Sequence, residues 1–333
     1  MIGTSQEGHS PLIGDKLDVL WCAISTRETS MSKRYLVLDI GGTFIKYAIM
    51  TQGGIMEKQG KVAAITSNED TMLESLESVR KTVAGYDYEG VAISMPGRID
   101  TKRGIAHTGG AFTWVHDYPA AQKYGAVFGK SATISNDGKC AAYAESWLGS
   151  LSDVDSGAVL VLGTGVGGGI VLDGKVVMGA SGGAGELSLL LGDFDIMRKG
   201  FPEAGSSMWA NRISAKSISA AFARRKGLEE ADGIMLFDAY DNGDEDAKAV
   251  LEEFGLQAAA GIMSLQATLD LPRYAIGGGI SARPQTTEIV RETFDQLYDP
   301  NASWLPFSKP EIVTCKFGNE ANLIGALAFH LTK

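Results

Sequence analysis

The chain has 333 residues, 44% hydrophobic and 21% charged, an ordinary globular balance that excludes disorder, collagen-like repeats and coiled coil, and a length that suits two domains or one large α/β unit. Thirty basic against 40 acidic residues leave a net charge of −10, so no global field exists to hold nucleic acid. The outlier is glycine, with 42 residues and no fixed short period against a usual share of about 7%, which assigns the surplus to particular turns.

Residues 1–30 surround an apolar patch at 19–24 that no basic stretch precedes. They read as a poorly ordered N-terminal extension or a short surface helix, not as a secretory signal. A first α/β domain is expected over 31–150. Its β-branched and leucine run at 35–40 predicts a strand, Gly41 and Gly42 break it, and 44–50 resumes as a strand. Met72, Leu73, Leu76, Val79 and Val83 fall at helical spacing behind Ser67, read as the cap of a helix over 68–84. A buried strand follows at 91–95, ended by Pro96 and Gly97. Asp117 with Pro119 suits the start of a short helix, 132–135 reads as a strand, and 138–147 reads as an alanine-rich helix.

The pattern then restarts in a second domain, 151–333. A strand at 158–162 meets a glycine turn at 163–169, and 170–177 returns through an Asp173-Gly174 hairpin, which looks like internal duplication. Helices are expected over 213–226, 245–269, 286–298 and 319–332, with a strand at 274–276 entering Gly277-Gly278-Gly279. Alternating strands and helices define an α/β class with a largely buried mixed sheet in each half. Cys22, Cys140 and Cys315 are too far apart for a metal knuckle or a redox pair and suit a reducing cytoplasm. No apolar run approaches the roughly 20 residues that cross a bilayer, so no membrane anchor is expected.

The run 163–169 contains a formal GxGxxG after a strand. A dinucleotide site needs a helix starting at the third glycine, whereas hairpin chemistry follows here, which disfavours a nicotinamide enzyme. A glycine turn can still bind phosphate through successive N–H groups that no Cβ obstructs. Gly163, Thr164, Gly165 and Gly167 offer such a turn. Gly41, Gly42 and Thr43 offer another, with Asp39 just before it as a carboxylate for Mg²⁺, usually through water, and Lys46 nearby. Either turn alone equally fits a plain hairpin; two in corresponding places of a duplicated pattern point to phosphate. Ser135-Asn136-Asp137-Gly138, at a strand end entering a helix, reads on spacing as a helix N-cap and otherwise as a carboxylate facing a cleft.

These residues together resemble the ROK family of bacterial sugar kinases, within the actin-like and hexokinase-like ATPase superfamily. Asp39-Ile40-Gly41-Gly42-Thr43 resembles its first phosphate motif, Gly163 to Gly169 its second, Gly277, Gly278 and Gly279 its adenosine-side motif, and 319–327 its closing helix. The resemblance implies two ribonuclease H-like domains closing over Mg-ATP and a sugar whose hydroxyl attacks the γ-phosphate. It implies Asp137 as general base, with Asn136, Asp137, Glu186, Gly109 and Gly110 around the sugar, and the closing helix packing back on the first domain. A homodimer follows by analogy only.

The chain departs from the family's usual zinc site. Leu189 stands where a histidine is expected, no cysteine lies between Cys140 and Cys315, and no histidine lies between His116 and His330, so no structural zinc is expected. Residues 190–211, with Phe201, Met208 and Trp209, must then shape the anomeric end, although Trp209 equally suits core packing. β-Glucosides and N-acetylmannosamine join free glucose as expected acceptors. The family's repressors add an N-terminal winged helix-turn-helix, for which 30 residues are too few, and a catalytically silent sugar-binding protein would not need Asp39, Asn136, Asp137 and Glu186 together.

Overall fold

A computed structural model describes residues 33–193, 196, 200 and 203–333. The expectations for residues 1–30 and for Phe201 lie outside the described residues. Strand β1 (Arg34–Ile40) is buried from Tyr35 onward, as a central strand covered on both faces must be. Strand β2 (Phe44–Thr51) returns antiparallel through the Gly41–Thr43 turn, with Asp39 opposite Lys46. The edge strand β3 (Met56–Ala63) was not anticipated, because its sequence MEKQGKVA carries charges on its open face. Helix α1 (Glu69–Thr82) is capped by Asn68 rather than Ser67. The Asn68 side chain accepts from the Thr71 N–H, and the Thr71 hydroxyl accepts in return from the Asn68 N–H.

Strand β4 (Val91–Met95) runs parallel to β1. A small three-stranded sheet follows, formed by β5 (Ile99–Asp100), β6 (Ile105–Thr108) and β7 (His116–Tyr118). Asp117 therefore belongs to a strand and does not start a helix; helix α2 (Ala120–Phe128) begins after Pro119, whose missing N–H costs nothing there. Strand β8 (Ala132–Asn136) pairs parallel with β4 and passes directly into helix α3 (Asp137–Leu148). The first sheet thus has the order β3-β2-β1-β4-β8.

The second sheet repeats this plan. Strands β9 (Gly157–Leu162) and β10 (Val166–Leu172) form the antiparallel pair, and Asp173 and Gly174, both at positive φ, turn the chain into β11 (Lys175–Val176). Helices α4 (Ala215–Lys226), α5 (Gly233–Asp241) and α6 (Glu245–Leu269) follow. Strand β12 (Arg273–Gly277) then pairs parallel with β9, helix α7 (Pro284–Leu297) crosses over, β13 (Glu311–Thr314) pairs parallel with β12, and α8 (Ala321–Leu331) ends the chain. The order β11-β10-β9-β12-β13 matches the first sheet strand for strand.

Helices α3 and α8 lie together between the sheets. One continuous core joins Val37 and Ala48 of the first sheet, Ala141 and Ala144 of α3, Leu323 and Leu327 of α8, and Val159 and Ala275 of the second sheet. The helices cross so closely that a Cβ added at Gly325 would lie 1.7 Å from the Cys140 carbonyl oxygen. Glycines 168 and 169 serve a similar contact: they sit in β10, where side chains would strike the Val159 carbonyl and Ala142. The second glycine turn is therefore shorter than expected, confined to 163–165, and Gly167 is a strand residue opposite Val161.

Candidate active site

Parallel pairing brings three polar residues into one row, with Asp39 on β1 beside Ser94 on β4 and Ser94 beside Ser135 on β8. Asp39 is 7% exposed. Its Oδ1 accepts from Ser94 Oγ at 3.1 Å and from Asn322 Nδ2 of α8 at 3.1 Å, and Lys46 Nζ stands 3.5 Å from its Oδ2. Lys46 also donates to the Asn319 carbonyl at 3.2 Å, which ties the approach to α8 to the same point. Neither asparagine's contact nor the partnership of Ser94 was foreseen; pairing across strands and the return of the last helix created them.

Beyond Asp39 the Gly41–Thr43 turn closes with a Gly41 N–H to Phe44 carbonyl bond of 3.0 Å and leaves Gly42 and Thr43 exposed. The second turn is closed by the Gly163 N–H on the Gly165 carbonyl at 3.0 Å, with Thr164 and Gly165 exposed. Side-chain positions at Gly163, Gly165 and Gly279 open into free space, whereas Gly278, at φ +94°, is excluded from bearing a side chain by the Leu162 backbone. A cavity of about 430 Å³ lies among Lys46, Gly163, Gly278, Gly279, Cys315 and Phe317. Thr164 borders a separate hollow of about 740 Å³ between α4 and α5.

On the other side of the row, Asn136 caps α3, as spacing alone suggested: its Oδ1 accepts from the Lys139 N–H at 3.1 Å, and its Nδ2 donates to the Gly97 carbonyl at 3.0 Å. Asp137 follows, half-buried, its Oδ1 accepting from the Gly138 N–H at 2.8 Å. Burial pushes this carboxyl above the usual carboxylate range; the Gly138 N–H opposes that, and the charges of Asp39 and Glu186 add to it. Asp39, Asp137 and Glu186 thus share one electrostatic neighbourhood. Glu186 is exposed and accepts from Ser188 Oγ at 2.5 Å.

Gly109 and Gly110 pack on the Pro96-Gly97 turn rather than on the residues above. A Cβ on Gly97, at φ +105°, would lie 2.0 Å from the Thr108 carbonyl oxygen, and Gly110 sits against Pro96. They bear on Asn136 through Gly97. Trp209 is 1% exposed and packs on Gly261 of α6, so the core reading holds for it. Leu189 is 56% exposed, and among the described residues no group of three or more His, Cys, Asp or Glu side chains is placed to hold a metal ion.

A buried carboxylate just before the open Gly41–Thr43 turn suits a hard cation that keeps water and phosphate oxygens as its main ligands, as Mg²⁺ does. Asp39 is the residue that would hold it.

The ROK family model matches residues 35–333, and the chain belongs to the ROK family. A β-glucoside kinase of Klebsiella pneumoniae is 28% identical over 291 residues, covering 87% of this chain and 93% of that enzyme. A Listeria monocytogenes protein put forward as an N-acetylmannosamine kinase superposes with a TM-score of 0.79 at 27% identity, over 90% of this chain and 99% of the other. A ROK glucokinase from Streptomyces griseus, solved with glucose and AMPPNP, shares the fold with a TM-score of 0.76 at 23% identity, over 89% and 98% of the two chains.

Proposed function

We propose that this chain is an ATP-dependent kinase that phosphorylates a hydroxyl of a hexose or hexoside, with the 6-hydroxyl of a β-glucoside or glucose-type sugar as first choice and N-acetylmannosamine as second. The observation that carries the reading is the row of Asp39, Ser94 and Ser135, which begins at a buried carboxylate beside the open Gly41–Thr43 turn and ends at the strand end where Asp137, two residues past Ser135, places a half-buried carboxyl of raised pKa. Relatives named β-glucoside kinases, matched over nearly their whole length, support the acceptor.

In this reading the triphosphate lies against Gly41–Thr43 and Gly163–Gly165, with adenosine toward Gly277–Gly279. Lys46 adds positive charge. Magnesium, when bound near Asp39, would neutralise charge on the transferred phosphoryl group. Gly138 holds Oδ1 of Asp137, which leaves Oδ2 to take the proton of the acceptor hydroxyl as its oxygen bonds to the γ-phosphorus and ADP departs. Asn136, fixed at both ends by Lys139 and Gly97, and Glu186 position the sugar.

The experiment is ADP release with Mg-ATP across cellobiose and other β-glucosides, glucose, N-acetylmannosamine, N-acetylglucosamine and fructose. Turnover with a β-glucoside or glucose at the highest kcat/KM is expected, and ADP formation with none of them would sink the kinase reading.

A further inference from the structure

The first turn of α3 carries a second charge for which the transfer of a phosphoryl group to Asp137's acceptor has no use. Lys139, two residues after Asp137, is 1% exposed and ranks among the largest fully buried side chains. A lysine this deep persists only where an opposite charge or a ligand compensates it. Its backbone N–H is taken by the Asn136 cap, but among the described residues its Nζ makes no hydrogen bond and no contact ion pair.

What surrounds it is fixed by glycines. A Cβ at Gly169 of β10 would lie 3.6 Å from Lys139 Cα, and one at Gly185 would lie 3.4 Å from Gly169 Cα, so Lys139 and the Gly185–Glu186 turn both pack against the same strand residue. Gly138 adds to this closeness, since a Cβ there would be 2.6 Å from the Gly168 nitrogen. The charged groups about Lys139 are Glu186 on that turn and Asp137 on its own helix, with Asp39 and Lys46 farther along the row. Strand β10 is the sequence VGGGIVL and brings no charge, and α8 faces the row with the neutral Asn322. Burial pushes the ammonium's pKa down, and the Glu186 carboxylate, followed by that of Asp137, pulls it back.

We propose that Lys139 is a positioning residue of the acceptor site, a buried counter-charge that keeps the exposed Glu186 carboxylate directed at the hydroxyls of the sugar. The inference rests on the reading of Glu186 as an acceptor ligand. An exposed glutamate on a glycine-rich turn has many rotamers available, and a fixed positive charge nearby disfavours those that point away. With Lys139 only 1% exposed, its side chain cannot lie along the sugar, so its effect passes through Glu186.

The test is a double-mutant cycle with Lys139→Met, a neutral side chain of similar length, and Glu186→Gln. Lys139→Met should raise the sugar KM about tenfold and leave the ATP KM within about twofold. Adding it to Glu186→Gln should raise the sugar KM no further. The thermal midpoint should move in the same coupled way, because Glu186→Gln strands a buried charge that Lys139→Met then removes. A merely structural lysine would change the midpoint without separating the two KM values. The proposal fails if Lys139→Met keeps the wild-type sugar KM while Glu186→Gln raises it, or if the two effects multiply independently. If Glu186→Gln itself leaves the sugar KM unchanged, the acceptor reading of Glu186 falls, and the thermal cycle still decides whether the charges are coupled, with zero coupling overturning the pairing. Should Lys139→Met not fold, Lys139→Gln carries the same comparisons.

Discussion

Asp137 combines two requirements that oppose each other. A carboxylate at the head of α3 is favoured by the helix N-terminus and by the Gly138 N–H, yet burial and the neighbouring carboxylates disfavour its charge more strongly. In the proposed role of base it must be ionised, so kcat/KM should fall as pH drops through a pKa that lies above the ordinary aspartate value of about 3.9. A pH–rate profile with its acid limb in the ordinary carboxylate range would contradict this. Stability runs the other way. A raised folded pKa means that the unfolded chain releases the proton first as pH rises, so the folded state loses stability through that interval and carries the full penalty above it. Asp137→Asn should therefore lower kcat by about 10²–10⁴-fold with little change in ATP KM. At neutral pH its thermal midpoint should match or exceed the wild type, a difference that vanishes near about pH 4. A variant that is both active and less stable would remove the assignment.

At the level of elements, α3 does more than present Asp137. At its far end Glu145 is fully buried, and its carboxylate accepts four bonds: from the Ser150 N–H and Oγ at 2.7 Å each, from the Lys316 N–H at 3.0 Å and from the Phe317 N–H at 2.9 Å. The last two fix the segment that walls the 430 Å³ cavity, just before Asn319 meets Lys46. Glu145→Gln sets an amide N–H₂ against donors. It should raise the ATP KM several-fold while leaving the sugar KM near wild type, and an unchanged ATP KM would show the contact to be purely architectural. The crossing of α3 and α8 gives a simpler case. Gly325→Ala drives a methyl into the Cys140 carbonyl. Overpacking of this kind costs about 1–3 kcal/mol, and a rigid backbone partner puts the loss at the upper end; urea unfolding measures it.

For the whole molecule, the matched order of the two sheets gives each half a glycine turn at the same place in its plan. Each turn joins the antiparallel pair of its own sheet, Gly41–Thr43 between β1 and β2 and Gly163–Gly165 between β9 and β10. The α3–α8 pair between the sheets connects the halves, and α8 reaches Asp39 through Asn322. No described helix is long and apolar enough to cross a membrane. If magnesium is held near Asp39 as proposed, removing divalent metal with EDTA should abolish turnover, and Mg²⁺ should restore it. Full activity in EDTA would exclude the metal role given to Asp39.

What the sequence determined by itself was local. Runs such as 35–40 and 158–162 could only be buried strands, the breaks at Gly41 and Gly163 could only be turns, and the Asp173-Gly174 pair, both at positive φ, turned the chain as expected. It failed where burial is one-sided or borrowed from neighbours: β3 is a charged edge, β13 is four residues long, and the β5–β7 sheet is made of fragments. It also assigned the glycines of β10 to a phosphate loop, because a glycine that admits a ligand and one that admits a helix leave the same letter in the chain. Asn136 kept both of its readings, cap and cleft, since one side chain serves each with a different atom. Only the tertiary structure decided that Ser94 and Asn322 hold Asp39, that Lys139 is buried against Gly169 of β10, and that Glu145 binds residues some 171 positions away. Such partners meet because strands pair and helices cross, and neither periodicity nor spacing along the chain carries that information.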